Sequence, residues 1–510
     1  MRPRLLHPER DPVLTGRLPR QARALVDDLE LRPLIDAMSR GDAFVADVAR
    51  QCLLRPSNDI AEITYRQRVL ADCLANADLA RSLFTLATTA LKRAEQTSWA
   101  FMPRRPESVV RFSRDVLQEY LRAFRELRRL TDEHAESFAS PGLRSFFAMV
   151  RQELDDAFLR EFEGQLRELR FEQGIRVSAR LGTGNKATDH VLLRATRLDR
   201  LVSTRLGAWV SRLRGSSEPH FTYQLEQHDE GAVRAHSELR DKALEEIAEV
   251  LAGATDHVIG FFSALRTQMA FYVGCLNLAE GLAGLGAPTC VPEPLPIAAS
   301  AHSAQGLYDA SLALTVGRQV VDNDLDADGI TLVLLTGANQ GGKTTLLRSV
   351  GVAQLLMQSG AFVPARSYRA SVAPGVFTHF RREEDASMSS GKLDEELARM
   401  SDIVDELAPG SLLLLNESFS ATNEREGSEI ARQIVGAVTE AGTRVFFVTH
   451  LSEYARERFE QRRSDTLCLL AERRPDGART FKLRAGAPQV TSHGSDVYRE
   501  VFEAEASPTR

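Results

Sequence analysis

Residues 337–344 read Gly-Ala-Asn-Gln-Gly-Gly-Lys-Thr, and these types at this spacing suit a loop that wraps phosphate. Glycine at 337, 341 and 342 lets successive backbone N–H groups turn inward, where a Cβ would block close approach. Lys343 can then reach the β- and γ-phosphates of a nucleotide, and the Thr344 hydroxyl can ligate Mg²⁺. A helix starting at this point aims its positive end at the anion. The context is the required one: an apolar run at 331–335, of buried-strand type, leads into the loop, and a helix is expected over 345–357.

A second apolar run, at 412–415, ends in Asn416 and Glu417. In phosphate-transferring sites of this kind an acid in the first position supports the metal shell, and a following Glu polarises the attacking water. Glu417 suits the second role. Asn416 departs from the first, since an amide oxygen accepts from a metal-bound water but brings no charge; weaker Mg²⁺ retention and slower turnover are expected. A third run, at 445–448, ends in Thr449 and His450, where an imidazole can sense a γ-phosphate or orient a water, or be an ordinary structural histidine. Small polar residues at 385–391, including Ser389, Ser390 and Gly391, lead into another helix; they read as a cap, although such an N-terminus also attracts anions.

These groups need a scaffold that brings three strand ends together. Beyond about residue 300 the pattern runs strand, glycine loop, helix, strand, helix, strand, which is α/β in character. From 17 to about 170 the period is helical. It is clearest over 107–130, where Val109, Phe112, Val116, Tyr120, Phe124, Leu127 and Leu130 recur every three or four residues beneath an Arg-rich outer face. Pro103 and Pro106 punctuate its entry, and Pro141 with Gly142 its exit. Asp59 followed by Glu62 reads as a capping box for another helix. Alternation at Ile175, Val177, Ala179 and Leu181, a turn at 182–185 and a second alternating run at 221–225 predict a small β insertion over about 172–226. Helix returns from about 235 to 280. The stretch 283–299, with Pro288, Pro292, Pro294 and Pro296 and little charge, suits an inter-domain crossing. The expected division is a helical region over 1–290 and an α/β P-loop domain over 291–510.

At 510 residues the chain exceeds one compact core, and its 43% hydrophobic and 26% charged composition is that of a soluble protein. No apolar run approaches membrane-spanning length, and the start of the chain lacks the apolar stretch of a targeting peptide, so a cytoplasmic protein is expected. Cysteines 52, 73, 275, 290 and 468 are far apart, never form C-x-x-C, and read as reduced thiols. A net charge of −6 excludes a wholesale basic coat, so any DNA contact must be a local patch.

Taken together, the motifs resemble the MutS family of ATPases. The resemblance is carried by Thr336, Gly337, Asn339, Gly341 to Thr345 and Arg348; by Gly360 and the Phe-Val-Pro-Ala at 362–365; by Ser390, Gly391 and Lys392; by Asn416 and Glu417 through Thr422 to Gly427; and by Thr449 and His450, in the family's order and spacing. It covers about 322–496, with 321–324 similar to the family's segment beside the nucleotide base. It implies that Gly337, Ala338, Asn339, Gln340, Gly341, Gly342, Lys343, Thr344 and Thr345 hold ATP, with Lys343 also catalytic, Glu417 the general base and His450 the switch histidine. Thr344 and Asn416 would serve Mg²⁺. Because the family's ATPase domains dimerise, Ser389, Ser390 and Gly391 would reach the γ-phosphate of the partner subunit's ATP.

Several positions depart from the family: Ala338 for Pro, Gln340 for Met, Asn416 for an acid, and Phe419, Ser420 and Ala421 for Gly-Arg-Gly. No aromatic is evident near Val320 and Val321 to stack on adenine. These departures bear on turnover and base preference. Upstream, 63–68 and the segment ending at Phe271 and Tyr272 look like the family's lever and core helices, and the β insertion like a reduced clamp. A mismatch-reading domain and an Smr-type nuclease domain are not expected, and the Phe124-Arg125-Glu126 that spells a mismatch wedge sits inside a helix. The resemblance therefore implies a homodimeric, ATP-gated clamp on duplex or branched DNA or repair intermediates. The alternative is an ATP-binding regulatory or assembly protein whose helical arms bind protein.

Overall fold

The computed structural model describes residues 1–11, 16–97, 105–134, 138–171, 176–181, 187–193, 230–382, 391–474 and 479–488. They fall into two compact units, one of residues 1–3, 81–138 and 144–266 and the other of residues 4–80, 139–143 and 267–510. Among the described residues no helix is long and apolar enough to cross a membrane.

The first unit is built from the greater part of α5 (Ala77–Thr97), α6 (Pro106–His134), most of α7 (Pro141–Glu153), α8 (Asp156–Glu168), a hairpin of β1 (Arg176–Leu181) and β2 (Ala187–Leu193), and the beginning of α9 (Glu230–Gly284). The helical period at 107–130 is realised in α6, which buries Val116, Tyr120, Phe124, Leu127 and Leu130. Tyr120 and Phe124 stack on Phe262 of α9 with ring centroids 5.1 and 5.4 Å apart. The Arg-rich face is neutralised locally: Arg122 pairs with Glu119, Arg125 with Glu163, Arg128 with Asp132, and Arg129 with both Glu126 and Glu133. β1 and β2 pair antiparallel from Arg176 opposite Leu193 to Leu181 opposite Ala187. The turn expected at 182–185 and the alternating run at 221–225 lie outside the described residues.

The second unit joins a helical layer to two sheets. The helices are α1 (Ala22–Asp28), α2 (Leu31–Ser39), α3 (Ala43–Leu54), α4 (Ile60–Ala75), the end of α9, α10 (Ala310–Val316), α11 (Lys343–Ser359), α12 (Lys392–Glu406), α13 (Glu424–Glu440) and α14 (Ser452–Glu460). A smaller sheet orders β3 (Glu293–Leu295), β7 (Ser367–Ser371), β4 (His302–Leu307) and β5 (Asn323–Asp326) side by side. The larger one runs β12 (Arg479–Ala485), β11 (Thr466–Arg473), β6 (Leu332–Thr336), β10 (Arg444–Val448), β9 (Leu412–Asn416), β8 (Val376–Phe380), parallel throughout except for β12. β6, β8 and the first four residues of β9 are buried on both faces, as strands sandwiched between helices must be.

The contact units do not divide at 290/291. α11 packs on α3 and α4, α2 packs on α10, and α1 on β8, so residues 4–80 fold with the P-loop sheet. The proline-rich stretch at 283–299 is no free crossing: β3 pairs in parallel with β7, and Cys290 bridges Val363. Prolines are admitted because β3 is an edge strand, where a missing N–H costs no ladder bond. At α4 only half of the expected capping box forms. Asp59 accepts from the Ala61 N–H at 2.8 Å, while Glu62 turns inward, is buried, and pairs with Arg66.

Gly351 marks how tightly the P-loop helix is gripped. A Cβ there would lie 2.7 Å from Leu29 Cδ2 and 2.7 Å from Leu414 Cδ1, so α11 runs directly between an N-terminal helix and the sheet. Overpacking such a contact typically costs about 1–3 kcal/mol. Gly351→Val is therefore expected to lower the unfolding free energy by that margin, read as a lower urea midpoint at unchanged slope, while leaving every phosphate-facing group in place; an unchanged midpoint would show that residues 4–80 do not grip this helix.

Candidate nucleotide-binding site

The loop after β6 turns through Gly337 at φ 105°, Gln340 at 57° and Gly342 at 92°, three left-handed residues in six. Glycine is needed at 342 on two counts, since a Cβ would also sit 3.0 Å from the Phe481 carbonyl oxygen. At 341 it would meet Ala338 O at 2.9 Å and Ala471 Cβ at 2.7 Å. Lys343 opens α11 with its side chain buried, and its ammonium donates to the carbonyls of Gly337 at 2.7 Å and Ala338 at 2.9 Å. Burial pushes its pKa down to about 8, against an opposing pull from Glu417. A desolvated ammonium resting on two carbonyls is poised for a stronger counter-charge.

The ends of β9 and β10 meet the same edge. Val448 stands opposite both Leu335 and Asn416, which places the P-loop, Glu417 and His450 in one row. The Asn416 amide oxygen accepts from the Thr344 hydroxyl at 3.1 Å. Glu417 Oε1 lies 3.3 Å from His450 Nε2, and Oε2 lies 3.8 Å from Arg381 Nη1. The approach of His450 holds the Glu417 carboxyl below its usual range; partial burial opposes this, and the charges of Arg381 and Lys343 add to it. Glu417 is thus an anion at neutral pH. The contact with His450 is close without being aligned as a hydrogen bond, and the shielded Nε2 has no hydrogen-bond partner among the described residues. Glu417 and Phe419 are themselves left-handed, at φ 54° and 64°. For non-glycine residues this costs on the order of 1–2 kcal/mol each, and it persists only where neighbours enforce it.

Two oxygens of different residues, Thr344 Oγ1 and Asn416 Oδ1, converge where a metal ion would meet a nucleotide's phosphates. They suit a hard cation that keeps most of its waters. Among the described residues no group of three or more His, Cys, Asp or Glu could hold a metal, so a cation here would take the rest of its shell from phosphate and water. Ser389 and Ser390 lie outside the described residues; Gly391 is exposed and caps α12 without a side-chain hydrogen bond.

A cleft of about 610 Å³ runs from the P-loop past Asn339, Gln340 and Thr345 to an apolar end at Leu312, Val316, Val320, Val321 and Phe481. Phe481, 44% exposed at φ 58°, is the aromatic that sequence reading did not find near Val320. It arrives from β12, on the antiparallel edge of the sheet, and Asn323 ties it down by donating to its carbonyl at 3.2 Å. The one available signal was an alternating run appended after the last parallel strand. Arg381 was missed as well, because only the backbone bond from its N–H to Asn416 O, 2.9 Å, reveals that β8 ends beside the site.

Comparison with known proteins divides the chain on either side of residue 300. A family model described as MutS2 N-terminal domain matches residues 58–285, and one described as MutS domain V matches residues 333–501. The chain is 30% identical over 226 residues to the Endonuclease MutS2 of Lacticaseibacillus casei, an alignment covering 43% of this chain and 28% of the relative. It is 28% identical over 249 residues to the DNA mismatch repair protein MutS of a Synechococcus species, covering 48% and 27%. With the MutS of Porphyromonas gingivalis the identity is 34% over 132 residues, covering 25% and 15%. The chain thus spans less than a third of the length of these relatives. Matched by MutS models on both sides of residue 300, with the P-loop, Glu417 and His450 ranged along one sheet edge as the motif order requires, this chain belongs to the MutS family.

Proposed function

We propose that this chain binds ATP with Mg²⁺ in the cleft, hydrolyses it slowly, and uses the nucleotide state to gate a homodimeric clamp on DNA. The observation that carries the reading is the row formed by Lys343, Thr344, Glu417 and His450 at the carboxyl edge of β6, β9 and β10. Gly337 to Thr345 cradle the phosphates, Thr344 and Asn416 support the cation, and Phe481 packs on the base. Glu417 takes the proton of the attacking water, and His450 Nε2, without a hydrogen-bond partner among the described residues, orients that water. When bound, Mg²⁺ neutralises charge on the phosphoryl group. Asn416 contributes no charge to that cation, which is why turnover is slow. Gly391 and the serines before it contribute to the partner subunit's site.

DNA binding rests on the likeness to relatives named for mismatch repair and to MutS2. One observation favours a second reading, in which the arms bind protein: the arginines of α6 are spent on Glu119, Glu126, Asp132, Glu133 and Glu163. A phosphate-binding stripe would leave them unpaired. The deciding experiment measures ATP hydrolysis by the intact chain and by Glu417→Gln, with and without duplex or branched DNA, across a salt series. Loss of at least ~100-fold in rate for Glu417→Gln with ATP still bound supports the base assignment. Failure to bind DNA at low salt with ATP present would remove the clamp reading and leave the protein-binding one.

Two further outcomes follow from the cleft. Lys343 is charged below pH 7 but titrates near 8 when its site is empty. Phosphate favours the charged form, so ATP affinity should be flat below pH 7 and fall by up to about tenfold per pH unit above 8, with proton uptake on binding in calorimetry; equal affinities at pH 7 and 9.5 would contradict the desolvated ammonium. Phe481→Ala should weaken ATP by roughly 0.5–1.5 kcal/mol while leaving inorganic triphosphate binding unchanged, if the ring stacks on the base.

A further inference from the structure

The loop that carries Glu417 is held from outside the nucleotide cleft. Glu396, one turn into α12 and buried, accepts from the Phe419 N–H through Oε1 at 2.7 Å. The backbone carbonyl of the same Glu396 lies 3.1 Å from His379 Nε2. On the other side of the ring, His379 Nδ1 lies 2.7 Å from the Ser418 hydroxyl, which is also 2.8 Å from the His379 carbonyl. Roles follow from chemistry: a carbonyl only accepts, so Nε2 carries the proton and Nδ1 is left as an acceptor, and the single Ser418 hydroxyl proton is shared between Nδ1 and the His379 carbonyl. Burial lowers the His379 pKa to about 4, so the ring keeps this neutral form at ordinary pH. His379, Ser418 and Phe419 are fully buried, and Phe419 packs between the His379 and Phe447 rings at 6.0 and 6.3 Å.

We propose that Glu396 and His379 are positioning residues for the base: a buried clasp between α12, β8 and the loop 417–419 that forces Glu417 into the left-handed turn aiming its carboxylate at His450. The inference rests on the reading of Glu417 as the general base. The turn is also held at Glu417, whose N–H donates to Val448 O at 2.8 Å and whose carbonyl accepts from the Ser420 hydroxyl at 2.6 Å, but the N–H of Phe419, the second left-handed residue, is held by Glu396; without the clasp the backbone there is released toward ordinary φ. A carboxylate at Glu396 makes a stronger bond to an N–H than any neutral acceptor. Since the clasp joins α12 rigidly to the loop, the helix that begins at Gly391 and the catalytic carboxylate move as one body, and a displacement of the order of an ångström at α12 reaches the reacting water.

The test uses the full chain carrying Glu396→Ala, Glu396→Gln or, as reference, Glu417→Gln. Single-turnover ATP hydrolysis, affinity for a fluorescent ATP analogue and the melting temperature are recorded for each. Expected for Glu396→Ala is a rate loss of about 30- to 100-fold with nucleotide affinity within about threefold, because the clasp touches orientation and not phosphate. Glu396→Gln keeps an acceptor of the same shape without its charge, and is expected to lose about three- to tenfold. In both, the loss should fall on the single-turnover rate and not on nucleotide affinity, with the glutamine variant restoring part of what the alanine variant loses; a merely structural role would lower affinity and melting temperature together. A wild-type rate in a folded Glu396→Ala, or in Glu396→Gln should the alanine variant fail to fold, overturns the proposal while Glu417→Gln remains inactive. A Glu417→Gln chain as active as wild type would instead overturn the base assignment on which the proposal rests.

Discussion

Register between three parallel strands is the constraint on which the site depends. β10 sets Val448 against Leu335 of β6 on one side and Asn416 of β9 on the other, and β8 continues the row with Phe380 opposite Asn416. A slip of one residue would send Asn416 to the opposite face and take Glu417 out of reach of the P-loop. Alternation cannot set this register, since the strands are apolar on both faces and would bury equally well after a slip. The ends do it instead. Beyond the strands proper, Glu417 N–H donates to Val448 O at 2.8 Å, Thr449 N–H to Leu335 O at 3.1 Å, and Arg381 N–H to Asn416 O at 2.9 Å. These bonds need the loops to leave the sheet in their observed left-handed turns, so the same strained residues that aim the functional groups also lock the strands that carry them.

Electrostatics in the cleft follows from that convergence. Two cations, Lys343 and Arg381, and one carboxylate gather at the strand ends, Lys343 resting on two P-loop carbonyls and Glu417 lying between His450 and Arg381. None of these partners is as good as phosphate for the cations. The surplus of positive charge is therefore retained as attraction for a polyanion rather than spent on stability, in keeping with the modest worth of half-exposed ion pairs. Asn416 belongs to this balance. An acid in its place would add a negative charge beside Lys343 and Glu417, whereas the amide accepts from the Thr344 hydroxyl and adds none.

Much of this was legible in the sequence where chemistry and local period coincide. The glycines, Lys343 and Thr344 announce a phosphate loop, Glu417 and His450 each close an apolar run, and the long helix α6 declares itself by spacing alone. What could not be read was set by distance along the chain. Phe481 reaches the cleft only because β12 folds back antiparallel onto β11, which sits beside β6. His379 and Glu396 carry no motif of their own, and what they do depends on Phe419, far along the chain, being buried against them. The edge strand within the proline-rich stretch at 283–299 was hidden for a related reason: composition marks a segment with few N–H donors, and an edge strand needs few. The arginines of α6 show the converse, a pattern visible in sequence whose meaning was reversed by acids three and four residues away on the same helix and by Glu163 on α8.

α11 explains why residues 4–80 cannot be separated from the P-loop. Fourteen of its seventeen residues are buried, so the helix lacks the polar face that a surface helix shows and needs cover on every side. The sheet supplies one side; α3 and α4 supply another. Polar groups along it are matched one by one: Arg348 pairs with Glu30 at 2.8 Å and donates to Asp28 O at 2.9 Å, Gln358 donates to Ser57 O and Asn58, and Ser359 donates to Cys52 O. Arg66, itself buried and paired with Glu62, reaches Ser359 O from α4. A helix packed to this density has no soft side on which to yield. Any shift of α11 as phosphate draws on Lys343 and its N-terminus must then be shared by α2, α3 and α4, which makes the N-terminal helices part of the nucleotide machine rather than an arm attached to it.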